Sequence, residues 1–505
     1  MKRFFLTTPL YYVNDRLHLG HAYCTVAADV LARWMRQKGS EVYFLTGTDE
    51  HGEKVYRSAE EKGISTLEWC DSMVEEDRKL WELLGITYDD FIRTSEERHI
   101  NSVREAFLFL KEKDDVYKSF YEGPYCVCCE TFFSSKEVED NGGNCPDCRR
   151  PVKEIRKEEA WFFRLSRYRQ QLLDFYGKNP SFFAPRFRAA EMINVLKEAP
   201  PDLCISRKKE RVPWGIDIPG EEDKVFYVWF DALLNYVTAP GLNRENGKMS
   251  VSGGVWPADL HLVGKEIYRF HTVIWPALLL ALGLPLPARV FGHGWWTVEG
   301  EKMSKSRGNV VDPAGIVKEV GLDAFRTFLF RYVSFGQDGD FSRKSLIQHY
   351  QSDCANNLGN LFSRTLSMLQ KYQEGRVESP GTTEGETIAC RTEELVKNMD
   401  KDMMDLAFTG VLEKIFSLCT DLNSFIEETA PWKMYKEKNE RLKGVLYRLI
   451  DSLRQITLML SPFMIEKTPV MKDLLKMETF EWGINKTPHS LLLGKPLILF
   501  PRLEE

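Results

Sequence analysis

The chain has 505 residues, of which 43% are apolar and 28% charged, and a formal net charge of −6. That balance belongs to a soluble globular protein, and on a prior of one domain per ~150 residues the length predicts several domains. The negative balance excludes a uniformly basic surface, so a nucleic-acid partner requires a local positive face. No signal or transit peptide precedes Phe4-Phe5. The most apolar run, Val273 to Leu286, contains Pro276 and Pro285 and is too short to span a bilayer. A cytoplasmic protein with no membrane partner is expected.

Phe4 to Thr8 predicts a buried strand. Helical periodicity follows from Gly20 to Gln37, with Val26, Val30, Leu31 and Trp34 on one face and Gly39 as the stop. Glu41 to Thr46 predicts a second strand. This strand–helix–strand unit seeds a parallel sheet whose ligands sit at the carboxyl ends of its strands. Neither GxxxxGK[ST] nor a GxGxxG after the first strand is present, which excludes a P-loop protein.

At the turn into the first helix stands His18-Leu19-Gly20-His21. Two imidazoles three residues apart share one face of a first helical turn. Gly20 permits close backbone approach, and the helix start offers N–H groups and partial positive charge to a phosphate.

Residues 113–222 break the alternation and predict an inserted module. Five of the eleven cysteines lie between 126 and 148. Cys126-x2-Cys129-x15-Cys145-x2-Cys148 is the spacing of a tetrahedral Zn2+ site closed by four thiolates, structural rather than catalytic, in a reducing compartment. Cys128 is an additional thiol.

Strands are predicted again at Val225–Phe230, Leu260–Val263 and Ala288–Phe291, with a helix over Glu266–Leu282. Beyond them comes Lys302-Met303-Ser304-Lys305-Ser306. Lysines on a small-residue loop suit a charge that grows at an α-phosphorus during reaction. From Leu346 onward, 3–4 spacing over 346–372, 402–428 and 440–466 predicts an all-helical domain, with a polar loop from Gln373 to Thr387.

Taken together, HLGH and KMSKS resemble the paired signatures of the class I aminoacyl-tRNA synthetases. Thr8–Asn14 (TPLYYVN), Thr46–Gly52 (TGTDEHG), Tyr227–Ala232 (YVWFDA), Gly264–Ile267 (GKEI) and Gly300–Lys302 (GEK) narrow the resemblance to the methionine-specific members. It extends over essentially the whole chain. Small nucleotidyltransferases share related motifs but lack the helical domain and the cysteine module. A non-catalytic relative would show decay of HLGH or KMSKS, and both are intact.

The resemblance implies an α/β fold: a Rossmann-like parallel-sheet catalytic domain with an inserted zinc-knuckle domain, followed by an all-α helical bundle. The implied boundaries are 1–112 and 223–318 for the catalytic halves, 113–222 for the insert, 319–345 for a stem-contact connection and 346–505 for an anticodon-binding domain. It also implies ATP-dependent ligation of methionine to the 3′ end of its tRNA through methionyl-adenylate, releasing AMP and pyrophosphate. The partners are methionine, ATP with Mg2+, and elongator and initiator tRNA(Met).

Carried over by position, His18, His21, Lys302 and Lys305 are catalytic. Leu10, Tyr12, Asp49, Trp229, Ala232, Tyr236, Ile267, His271 and Trp275 form the methionine site, with Asp49 on the ammonium. Each aromatic alone would read as core packing, but a thioether does pack well against rings. ATP falls to His18, Gly20, His21, Gly264, Glu266, Lys302 and Lys305, where the family often carries Asp in place of Glu266. The family's insert carries a zinc knuckle, matching Cys126, Cys129, Cys145 and Cys148. Asn360, Arg364 and Trp432 match the residues that read the anticodon, through ring and guanidinium stacking on unpaired bases. The extra C-terminal RNA-binding module of some members is not seen after Phe500-Pro501-Arg502, which makes a monomer the expectation.

Overall fold

The first strand, β1 (Arg3–Tyr12), is buried on both faces along most of its length, as central strands of parallel sheets are. The computed structural model describes residues 2–129, 131–133, 135–146, 148–210, 212–303, 308–378, 380, 384–478 and 481–503. The other strands of this sheet are β2 (Glu41–Asp49), β3 (Asp90–Arg93), β4 (Phe183–Ala184), β5 (Leu260–Gly264) and β6 (Val290–His293). Their order is β3-β2-β1-β5-β6-β4, and every pairing is parallel. The chain winds outward in both directions from β1 and β5, which makes their carboxyl ends a topological switch point. Between Thr7 and Leu10 the β1–β2 register shifts, where Pro9 has no N–H to give the ladder.

The chain divides into two compact units. One holds Met1–Leu17, Ser40–Glu82 and Thr87–His293, and hence the whole parallel sheet. Its insert is a four-stranded antiparallel sheet built on a long hairpin, Val116–Cys126 against Glu154–Phe163. Val225–Phe230, expected as one strand, divides. Lys224–Phe226 pairs antiparallel with Ser206–Lys208, and Val228–Leu233 is a helix. A six-residue apolar run fits either a buried strand or a buried helix turn, so periodicity alone does not separate them.

The other unit holds His18–Gly39, Leu83–Ile86 and Gly294–Glu505. It contains the helix Leu19–Gln37, a small sheet of Trp296–Val298, Glu301–Lys302 and Gly339–Phe341, and the helical region. The helices beyond Leu346 include Asn360–Gln373, Glu386–Met404, Phe408–Thr429, Pro431–Lys436 and Arg441–Leu460. Glu386–Met404 is a helix largely outside the expected spans: Ile388, Ala389, Thr392, Leu395, Met399 and Met403 are its buried stripe, diluted by charge on the other face.

This unit is organised by two buried polar groups. Arg326 is fully buried; it donates to Asp29 Oδ2 at 2.6 Å and to the carbonyls of Leu84, Pro462 and Phe463 at 2.9, 3.1 and 3.0 Å. The Asp323 carboxylate accepts from the backbone N–H groups of Ile465, Glu466 and Lys467, which opens the helix Lys467–Leu474. Among the described residues no helix is long and apolar enough to cross a membrane.

Candidate functional site

A cavity of about 210 Å³ lies in the first unit, and its walls come from the carboxyl ends of β1 and β2 and from the segments after Tyr227 and after β5. Leu10, Tyr12, Asp49, Trp229, Ala232, Tyr236, Ile267 and His271 all line it. Trp275 is not among the lining residues. It stands one layer back, 5.7 Å from the Tyr236 ring, with its indole N–H donating to His261 Nε2 at 3.2 Å. Trp229 stacks flat on Phe270 at 3.7 Å, which holds its ring as a wall.

The polar end of this wall is internally paired. His271 Nδ1 is 2.9 Å from the Ile267 carbonyl, so that nitrogen carries the proton and Nε2 accepts. The Tyr236 hydroxyl lies 2.8 Å from Nε2 and donates to it. Burial pushes His271 down to about 4, which keeps the ring neutral at physiological pH. The cavity therefore presents rings and a neutral dipole, suited to a polarizable apolar group such as a thioether.

The loop after β2 is clamped from behind. Glu50 is buried and takes a bidentate bond from Arg93 at 2.6 and 3.0 Å, with Ser95 and Thr48 donating at 2.5 and 2.7 Å. Its neighbour His51 meets Asp231 at 2.6 Å, and His99 meets the other oxygen of Asp231 at 2.7 Å. Burial opposes ionisation of Asp231, but the two imidazoles outweigh it and hold the carboxyl below its ordinary value. Because Asp231 sits in the helix Val228–Leu233, this clasp joins the Asp49 loop to the Trp229 wall. The clasp and the lining residues Lys54 and Asn235 lie outside the sequence expectations, and Cys129, expected as a metal ligand, also lines the cavity. The three clasp residues are 180 and 132 positions apart, and no local pattern marks them.

Gly264 ends β5, and a Cβ there would meet the Glu266 carboxylate at 2.5 Å, so glycine is what lets that carboxylate fold back over the strand end. Glu266 itself is exposed in the following turn.

In the second unit, His18 caps the helix Leu19–Gln37. Its Nδ1 accepts from the Gly20 N–H at 3.0 Å, while its own backbone N–H donates to His21 Nδ1 at 3.0 Å. This is a capping box made of two histidines. Both Nδ1 atoms act as acceptors, so the neutral rings carry their protons on Nε2. The rings lie 4.1 Å apart. A Cβ on residue 20 would come within 3.0 Å of His18 Cε1, which is the steric reason for glycine. The Leu19 N–H donates to the Val311 carbonyl at 3.2 Å, so the chain leaving the lysine loop is bonded to the histidine motif. Lys302 lies in the strand paired with Thr297. The side chain of Lys302, and Lys305 as a whole, lie outside the described residues.

Cys126, Cys129, Cys145 and Cys148 converge near the tip of the insert, their sulfurs all within 4.8 Å of one another. Two sulfur pairs stand at 3.6 and 3.5 Å, close to the ~3.8 Å edge of a tetrahedron with ~2.3 Å metal–sulfur bonds. The Cys148 N–H donates to Cys145 Sγ at 3.4 Å. Cys128 is outside the quartet, and this donor set can hold a metal ion.

In the helical region Asn360 is exposed and Arg364 and Trp432 are half-buried, with Arg364 Nη2 bonded to Glu427 at 2.7 Å. The helices bearing Arg364 and Trp432 are joined by a Tyr372–Tyr435 stack at 4.6 Å.

The family model described as tRNA synthetases class I (M) matches residues 4–366. A methionine–tRNA ligase of Caldanaerobacter subterraneus subsp. tengcongensis is 47% identical across all of this chain and 79% of its own length. Those of Thermotoga maritima and Bacillus subtilis are 43% and 44% identical, covering 98% and 92% of this chain and 80% and 72% of theirs. Among solved structures, Mycobacterium tuberculosis methionyl-tRNA synthetase bound by methionyl-adenylate aligns with a TM-score of 0.93 at 35% identity, over 99% of this chain and all of that one.

Proposed function

The chain belongs to the methionine-specific class I tRNA synthetases, and on that premise we propose that it joins methionine to the 3′ end of its tRNA through a methionyl-adenylate. The observation that carries the reading is the ring-walled cavity lined by Asp49 and by the neutral Tyr236–His271 pair. A thioether packs on the rings, and the hydroxyl–imidazole dipole disfavours a plain hydrocarbon in its place.

The carboxylate of methionine attacks the α-phosphorus of ATP, and pyrophosphate leaves. His18 and His21, fixed by their mutual cap, offer Nε2–H groups and a helix start to the phosphates. Lys302 and Lys305 stabilise the charge that grows at the α-phosphate. Mg2+, when bound with ATP, adds charge neutralisation on the phosphates. Gly264 and Glu266 take the ribose, the carboxylate accepting from its hydroxyls. The terminal adenosine hydroxyl of tRNA then attacks the acyl carbon and releases AMP. Asn360, Arg364 and Trp432 read the anticodon of elongator and initiator tRNA(Met). The quartet Cys126, Cys129, Cys145 and Cys148 would hold Zn2+ through four thiolates and so serve the fold of the insert rather than the chemistry.

Methionine-dependent exchange of pyrophosphate into ATP, run beside a panel of other amino acids, tests the reading. Exchange with methionine alone is expected. Exchange with another amino acid would overturn the reading of the cavity, and exchange with none would overturn the chemistry.

A further inference from the structure

A free amino acid brings two opposite charges to an apolar cavity, and a charge left unpaired there is costly. The family resemblance supplies a partner for the ammonium, Asp49, and none for the α-carboxylate. Among the described residues lining the cavity, Asp49 is the one carboxylate and Lys54 the one ammonium.

Both stand on a single turn. Asp49 ends β2, and Lys54 is the second residue of the helix Glu53–Lys62. The residues between them are immobilised: Glu50 by Arg93, Ser95 and Thr48, and His51 by Asp231. The backbone that carries the two charged residues is therefore held before any ligand arrives. The Lys54 ammonium also lies 6.0 Å from the ring of Tyr12, another lining residue. The remaining polar groups of the wall suit the other end of an amino acid. Tyr236 and His271 bond each other, and the buried Asn235 Oδ1 is an acceptor with no partner among the described residues.

We propose that Lys54 binds the α-carboxylate of the substrate, so that the cavity recognises its amino acid as a zwitterion, Asp49 taking the ammonium and Lys54 the carboxylate. The proposal rests on the methionine reading above. It carries a kinetic signature. The carboxylate loses its charge as it is acylated onto phosphorus, so the pairing with Lys54 is strongest in the ground state. Lys54 is a positioning residue whose loss raises KM for methionine and leaves kcat nearly unchanged.

The test is a titration of the whole protein, wild type and Lys54→Met, with methionine and with methioninol. Methioninol keeps the side chain and ammonium and lacks the carboxylate. The substitution is expected to weaken methionine binding tenfold to a hundredfold, on the order of a lost charge-assisted bond, with methioninol affinity within about twofold. Lys54→Arg restores most of the methionine affinity. Equal weakening of both ligands would reduce Lys54 to cavity packing and overturn the proposal, as would unaltered methionine binding. Failure of the wild type to bind either ligand would overturn the methionine reading itself, and this proposal with it.

Discussion

The cavity of the first unit is walled by five separate stretches of chain, around Leu10, Asp49, Cys129, Trp229 and Ile267, whereas the histidine-capped helix start of the second unit is four consecutive residues. The cavity's Tyr236–His271 pair is buried and bonded side chain to side chain, and a clasp of His51, Asp231 and His99 backs the Asp49 loop. Those at His18 are held by backbone groups one turn away. A wall assembled from many parts degrades by degrees when one part changes, and its failure shows in selectivity. A cap assembled from one turn fails as a whole, and its failure shows in rate.

That contrast can be broken, most forcefully at the helix start and its partner loop. Lys305→Ala is expected to slow methionine-dependent pyrophosphate exchange at least ~100-fold, with methionine affinity within twofold by calorimetry. Gly20→Ala puts a Cβ 3.0 Å from the His18 ring and displaces the cap. A tenfold or larger fall in exchange rate is expected, and a normal rate would show that the double-histidine cap is dispensable.

In the same unit, Arg326→Met leaves Asp29 buried without its buried guanidinium partner, while Arg33 stays beside it. A loss of about 3–5 kcal/mol by denaturant unfolding is expected. In the cavity the effects are smaller. His271 has a folded value of about 4 against 6.5, so the unfolded chain takes up its proton first as pH falls. Its contribution is present above pH 6.5 and is lost progressively toward pH 4, on the order of 3 kcal/mol. Melting curves of wild type and His271→Gln between pH 7 and 4 check this: the variant should be the less pH-dependent. Tyr236→Phe removes the donor to His271 and is expected to lower the preference for methionine over norleucine by about tenfold, read from the ratio of kcat/KM values in exchange.

How far each region can be read from residues alone follows the same division. The helix start was legible because its parts are adjacent: a strand, two histidines and a glycine, then a periodic helix. Even so, the three-residue spacing shows only that the rings share a face, not that His21 accepts from the backbone of His18. The thiol quartet was legible because metal spacing is a local pattern. The cavity was legible only by family resemblance, which named eight residues that line it and Trp275, which stands behind them. Periodicity misjudged Val228–Leu233, since a short buried helix and a buried strand carry the same apolar composition. Lys54 escaped notice because a lysine opening a helix reads as solvated surface, and only the folded turn brings it to the cavity beside Asp49.

The Arg326–Asp29 pair, finally, has a history in time as well as a place. Its partners are 297 residues apart. During synthesis at ~5–20 residues per second, the carboxylate leaves the ribosome roughly 15–60 s before its guanidinium exists. Through that interval Arg33, one turn along, is already present to pair with it. An unfinished chain thus carries this acid without its guanidinium on the helix that His18 caps, and the packing around it closes only when the late helices arrive. Nascent chains arrested before residue 326 should accordingly be open to proteases around that helix, and chains arrested beyond the Phe463 carbonyl should be closed.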